Sequence, residues 1–144
     1  MAKKLPFQVD IILFYISDST IEYLLLKRQK ERGGFWQPIT GGLEEGESLL
    51  YAARREVWEE TGILKVKNSY DMKYSFSFMA KDKVITEHVF AFEVYDKKIV
   101  IEEREHSNFG WFEFDDAVKL LKWDTNISSL TKLNKYLIKS HSKM

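Results

Sequence analysis

Apolar and polar positions along the chain follow two rhythms, and the changes from one to the other predict the order of elements. Phe7 to Ile16 is strongly β-prone, and from Ile11 onward it is apolar on both faces, as expected of a strand covered on both sides. Ser17 to Thr20 reads as a turn and Ile21 to Lys27 as the returning strand of a hairpin. Arg28 to Gly34 is charged and ends in Gly-Gly, which predicts a mobile loop near a ligand. Phe35 to Thr40 then leads into a stretch punctuated by Gly41, Gly42 and Gly46, read as a loop. From about Ser48 to Thr61 the rhythm becomes helical. Ser48 suits an N-cap, Leu49, Ala52, Ala53 and Val57 fall on one stripe, and Gly62 closes the element.

In the second half, Tyr70 to Phe78 alternates like a half-buried strand, with Tyr70, Tyr74, Phe76 and Phe78 read as core. Lys81 to Lys83 is a charged turn. Ile85 to Tyr95 is a further strand, where His88 keeps phase with Phe90 and Phe92 and reads as structural. Ile99 to Ile101 suggests a short strand. A polar run from Glu102 to Asn108 precedes Trp111 and Phe112, which return to the core. Asp115 opens a helix to about Lys122, and Ile127, Leu130, Leu133, Leu137 and Ile138 stripe a last helix ending near Lys139, with a loose tail from Ser140. Helices on both faces of a sheet make an α/β fold, and 144 residues suit a single domain over 1–144.

Composition narrows the function classes. Lys plus Arg and Asp plus Glu both total 22, so no overall charge draws the chain to a nucleic acid polymer or an anionic membrane. Cysteine is absent, which removes thiolate chemistry and disulfides. No signal-like apolar segment opens the chain and no run approaches a membrane span, so a cytoplasmic protein is expected, a monomer or homodimer.

The chemistry concentrates on the Ser48–Thr61 helix. Glu56, Glu59 and Glu60 stand at i, i+3 and i+4 and converge on one patch, where like charges repel unless a cation lies among them. Arg55 neutralises part of that charge. Hard divalent cations such as Mg²⁺ take oxygen ligands while gripping substrate phosphates, so a metal and a diphosphate would complete the patch. The bland alternative is a solvated acidic face.

Gly41, Glu47, Arg55, Glu56, Val57, Glu59, Glu60, Gly62 and Ile63 fill every fixed place of the Nudix box, and the stretch from Gly41 to Ile63 resembles that family. The resemblance implies a Nudix-type α/β/α sandwich with a mixed central sheet, and an enzyme that cleaves a nucleoside diphosphate linked to another moiety. It implies Mg²⁺, with Mn²⁺ as a substitute, held by Glu56, Glu59 and Glu60 and by the carbonyl of Thr40. It also implies that Arg55 orients a glutamate and that Glu47 supports the box. Glu105 resembles the family's additional metal ligand or general base, against a reading as a solvated loop charge. Glu102 and Glu103 are the fallback candidates.

Over most of the chain, Trp36-Gln37-Pro38-Ile39-Thr40-Gly41-Gly42, the Glu105-His106 pair and Lys122 to Asn126 look like the bacterial dihydroneopterin triphosphate pyrophosphatases. That likeness implies a nucleotide or pterin triphosphate as partner, met by Arg28, Trp36, Gln37, Gly41, Gly42 and Asn126. Trp36 reads as a core anchor or as a stacking face. Asn126 reads equally as an amide on a purine-like edge or as a helix cap. Three other readings stand beside it: a house-cleaning pyrophosphatase for modified deoxynucleotides, a diadenosine polyphosphate hydrolase, and a nucleotide sensor that does not cleave. The residue markers of the diadenosine and ADP-ribose subfamilies would fall near Ala80 and Phe78, and neither is present. A sensor would typically have lost box glutamates, and this chain lacks none.

Overall fold

A computed structural model describes residues 4–141, so the first three residues and the last three of the expected loose tail lie outside it. Strand β1 (Lys4–Ser17) turns at Asp18 into β2 (Thr20–Arg28) as the predicted hairpin. One 3-10 turn (Lys30–Arg32) follows, then the short β3 (Trp36–Gln37) and β4 (Ile39–Glu44). The glycine stretch therefore begins as strand: Gly41 and Gly42 pair with Val9 and Gln8 of β1, and only the following residues form the loop.

Helix α1 (Leu49–Thr61) has the predicted ends. The Ser48 hydroxyl accepts from the Tyr51 N–H, and Gly62, at φ 79°, takes the left-handed conformation that ends the ladder without a Cβ penalty. Next come β5 (Asn68–Ala80), β6 (Lys83–Glu93), β7 (His106–Phe112), α2 (Phe114–Leu120) and α3 (Asp124–His141).

The strands form a mixed sheet in the order β3-β2-β1-β6-β5, with β4 on β1 and β7 on β2. β1 and β6 run parallel and the other pairs are antiparallel. Alternate residues of the central strands face opposite sides, which is why β1 is apolar on both. Val9, Ile11, Leu13, Phe90 and Phe92 pack against Ala52, Ala53 and Val57 of α1, while Ile12, Phe14, Val89 and Ala91 pack against Ala117 of α2 and Leu130, Leu133 and Leu137 of α3. The result is the expected α/β/α arrangement. At roughly 25 cal/mol per Å² of apolar surface buried, these two layers dominate the folding energy.

The departures have local causes. Ile99 to Ile101 forms no strand, because Val100 donates its N–H to the Thr61 carbonyl at the end of α1 and the two isoleucines pack on that side. α2 stops at Leu120, since Leu121 is extended and bridges to Trp36. Ile138 is 55% exposed although it was placed on the apolar stripe, and α3 continues past Lys139 to His141. Tyr70, Tyr74 and Phe76 pack against the α3-side core as expected, and Phe76 also lines a cleft with Phe78, which alone of the four stays out of the core. No helix among the described residues is long and apolar enough to cross a membrane.

Candidate active site

Arg55 organises the box. Its Nε and Nη2 donate to the two carboxylate oxygens of Glu47 at 2.6 and 2.9 Å, a bidentate fork that only a planar guanidinium makes. Nη2 also donates to the Gly42 carbonyl at 3.0 Å, and Nη1 donates to Glu56 at 2.9 Å and to Glu59 at 3.0 Å. Glu47 in turn accepts the Glu44 N–H, so one side chain fastens β4 and its loop to α1. The Arg55 fork holds the Glu47 carboxyl below its usual range. Gly41 leaves room for the Glu56 carboxyl group, which a Cβ there would overlap and push away from Arg55.

Around this clamp the remaining acids crowd. Burial pushes Glu56 up to about 7 against the pull of Arg55, with Glu59 and Glu60 adding repulsion. Burial pushes Glu60 further, to about 9, helped by a shared hydrogen bond and repulsion from Glu105. The same hydrogen bond keeps Glu105 ionised below its ordinary range, and Arg32 lies 3.6 Å from its carboxylate. His106, on the first position of β7, is 4% exposed and held neutral by burial. Its Nδ1 is 3.0 Å from Glu60 Oε2 without hydrogen-bond alignment, so both atoms are buried unpartnered.

One donor atom each from Glu60, Glu105 and His106 lies within 4.8 Å of the others, a set that could hold a divalent cation. Glu60 and Glu105 border a cleft of about 730 Å³ that also takes in Glu59, Glu102, Arg32 and Arg104, with His106 buried behind Glu60. Orphaned buried acceptors, crowded carboxyls with raised affinity for protons and an open cleft all fit a bound metal ion.

A second cleft of about 600 Å³ opens on the α3 side. Phe35 and Trp123, edge to face at 5.8 Å, and Phe76 and Phe78 give it aromatic walls, while Arg28, Gln37, Thr40, Glu87 and Asn126 supply polar groups. Lys122 Nζ sits 5.3 Å from the Phe35 ring centroid and 4.8 Å from that of Trp123, so cationic groups stand against the aromatic wall. The Arg28–Gly34 segment joins the two clefts, Arg28 lining one and Arg32 the other. Gln29 holds that segment through the carbonyls of Glu103 and His106.

The sequence-derived candidates therefore divide. Glu56, Glu59, Glu60, Arg55 and Glu105 come together at the acidic cleft, with Glu102 on its border, whereas Glu103 contributes its carbonyl to Gln29. Arg28, Gln37, Thr40 and Asn126 line the aromatic cleft. Gly41 and Gly42 serve the box through Glu56 and Arg55. Trp36 does not reach the cleft: it packs edge to face on Phe112 at 5.4 Å in the cluster beneath α2 and α3. Strand alternation turns its neighbours Phe35 and Gln37 to the cleft instead.

Asn126 is no cap, for it lies inside the first turn of α3 and donates its amide to Asp10 Oδ2 at 3.1 Å. Sequence reasoning did not place Phe35, Trp123 and Glu87 in the aromatic cleft, Asp10 next to its lining residue Asn126, or His106 beside Glu60. Asp10 left a trace as the one charged residue in the run Val9 to Phe14.

Comparison with known proteins agrees with this geometry. The NUDIX domain model matches residues 6–133. An octanoyltransferase of Myxococcus xanthus is 38% identical over 100 residues, 68% of this chain, although the chain spans only 28% of that protein's length. A dihydroneopterin triphosphate diphosphatase of Haemophilus influenzae is 28% identical over 138 residues, covering 87% of this chain and 85% of the other. An asymmetrical bis(5'-nucleosyl)-tetraphosphatase of Rattus norvegicus is 28% identical over 126 residues, covering 85% and 84%. A crystal structure from Listeria monocytogenes, described as a NUDIX hydrolase, superimposes with a TM-score of 0.84 at 28% identity, covering 94% of this chain and 97% of that one. With the box complete and the match spanning nearly the whole length, the chain belongs to the NUDIX family and is a Nudix pyrophosphohydrolase.

Proposed function

We propose that this pyrophosphohydrolase acts with Mg²⁺, replaceable by Mn²⁺, on the triphosphate of a fused heterocycle. Dihydroneopterin triphosphate is the first candidate and a modified or ordinary (deoxy)nucleoside triphosphate the second, with release of pyrophosphate. The observation that carries the reading is the juxtaposition of an acidic cleft with an aromatic one, joined through the Arg28–Gly34 segment. The first suits a metal-bridged phosphate chain, and the second suits a flat ring.

Glu56, Glu59 and Glu60, with the Thr40 carbonyl, would hold the cation, which when bound neutralises phosphate charge and acidifies water. Arg55 positions Glu56 and Glu59 and joins them to the β4 loop. Arg28 and Arg32 stand where they can meet the phosphate chain. Glu105, ionised beside Glu60 and Arg32, would either join the cation as a further ligand or accept a proton from the attacking water, a role open also to one of the box glutamates.

A substrate panel with Mg²⁺, scoring pyrophosphate against phosphate, tests the reading. Pyrophosphate from dihydroneopterin triphosphate supports it. Preference for a dinucleoside tetraphosphate would transfer the assignment to the activity named for the rat relative, and nucleotide binding without turnover would leave only a sensor.

A further inference from the structure

Asp10 and Glu87 form a carboxyl pair that the box chemistry does not use. From it we propose that Glu87 reads the 2-amino-4-oxopyrimidine edge shared by guanine and pterin, accepting one hydrogen bond from the ring N–H and one from the exocyclic amino group. The proposal rests on the reading of this protein as a hydrolase of heterocyclic triphosphates and specifies which heterocycles enter.

Asp10 and Glu87 sit on the side of the sheet that α3 covers. Each is two residues from an apolar residue packed under α3, Ile12 in one strand and Val89 in the other, so strand alternation sends all four the same way. Asp10 is 0% exposed. Its Oδ2 accepts from Asn126, and its Oδ1 has no conventional donor. Glu87, 5% exposed, lines the aromatic cleft and shares a hydrogen bond with Asp10.

No ion pair reaches either acid among the described residues, so a proton between them is what allows the contact. Asp10 is 0% exposed and raised well above its ordinary range by burial and by Glu87, whereas Glu87 reaches the cleft, so Asp10 is the member that keeps the proton and donates it to Glu87. Asn126 fixes the orientation by donating to the other Asp10 oxygen. It is a positioning residue acting through Asp10.

Glu87 is left with acceptor capacity toward the cleft. A carboxylate accepts best from two parallel N–H groups, the fork that a guanidinium offers, and a 2-amino-4-oxopyrimidine presents the same fork. Adenine turns a ring acceptor toward the acid, and hypoxanthine lacks the amino group. Phe35, Phe76, Phe78 and Trp123 supply walls for the ring faces.

The test is calorimetric titration of the purified full chain, free of divalent metal, with GMP, IMP, AMP and neopterin. Wild type is expected to bind GMP and neopterin at least about tenfold more tightly than IMP and AMP. Glu87→Gln should abolish the difference between GMP and IMP. Asp10→Asn should keep it, because an asparagine amide accepts from Asn126 and donates to Glu87 in the same pattern. Equal affinity of wild type for GMP and IMP, or a preference that survives Glu87→Gln in a protein with native circular dichroism, would overturn the proposal.

The relative affinity of GMP and neopterin identifies which source of the edge fits better. Turnover plays no part, so the two readings fail separately. A chain that discriminates GMP from IMP but cleaves no triphosphate loses the hydrolase assignment alone. One that cleaves without discriminating loses only the edge reader.

Discussion

Two acid pairs lie in the two clefts, Glu60 with Glu105 on the box side and Asp10 with Glu87 on the α3 side, and their surroundings give them different work. Around the first stand Glu56, Glu59 and Glu102, with Arg55 and Arg32 neutralising part of the charge. Around the second stand aromatic rings and two amides. An excess of carboxylates beside open solvent attracts a cation. A single pair that is almost fully buried and forms no ion pair among the described residues keeps its proton and becomes a hydrogen-bonding device. Residue type alone does not separate catalytic acids from recognition acids; burial and neighbouring charge do.

Substitutions should divide the clefts accordingly. The largest effect is expected from Glu59→Gln, which should lower kcat by roughly a hundredfold or more with Mg²⁺ while leaving the melting temperature near wild type. Turnover close to wild type would remove Glu59 from the catalytic set.

Arg55→Lys comes next. Lysine cannot reproduce the fork to Glu47, so a loss of about 2 kcal/mol in denaturant stability should accompany a fall in activity. An unchanged denaturation midpoint would show that the clamp contributes little to folding.

The pH dependence should distinguish the acidic cleft more gently. Glu56 and Glu60 have raised folded pKa values, about 7 and about 9 against a reference of 4.5, so the folded state binds the extra protons. Their contribution is fully present below about pH 4.5 and is lost as pH rises through the folded values. In metal-free protein the melting temperature should therefore fall between pH 5 and pH 9, and Mg²⁺ should raise it more at the alkaline end. A Mg²⁺ effect independent of pH would contradict binding at these carboxyls.

Ser48→Ala should cost about 1 kcal/mol by removing the cap of α1, measured by chemical denaturation. Smallest of all is Asp10→Asn, expected within about 1 kcal/mol of wild type because it preserves the hydrogen-bond pattern. A severe loss there would mean that Asp10 is ionised in the folded protein.

Legibility followed sequence distance. α1 was readable to the residue: cap, stripe and closing glycine lie within one short window. The hairpin β1–β2 was readable for the same reason. The strand character of Gly41 and Gly42 was hidden, because glycine signals a loop until the Glu56 carboxyl is found packed where a Cβ would stand. Trp36 was ambiguous, since alternation says that it and Phe35 face opposite ways without saying which way leads to the cleft. His106 stood out only as half of the Glu105-His106 pair, and nothing local to it pointed to Glu60.

What the sequence determined by itself was the box and its order of carboxylates, the ends of its helix and the two-faced character of β1, all set by spacings of a few residues and the fixed periods of helix and strand. Only the tertiary structure decided that Glu60 meets Glu105 and His106, and that Asp10 meets Glu87 and, 116 positions away, Asn126. Those meetings depend on which strands become neighbours and which helix covers which face. That choice is made by burying both apolar faces of the sheet at once, a sum over the whole chain that no local pattern contains.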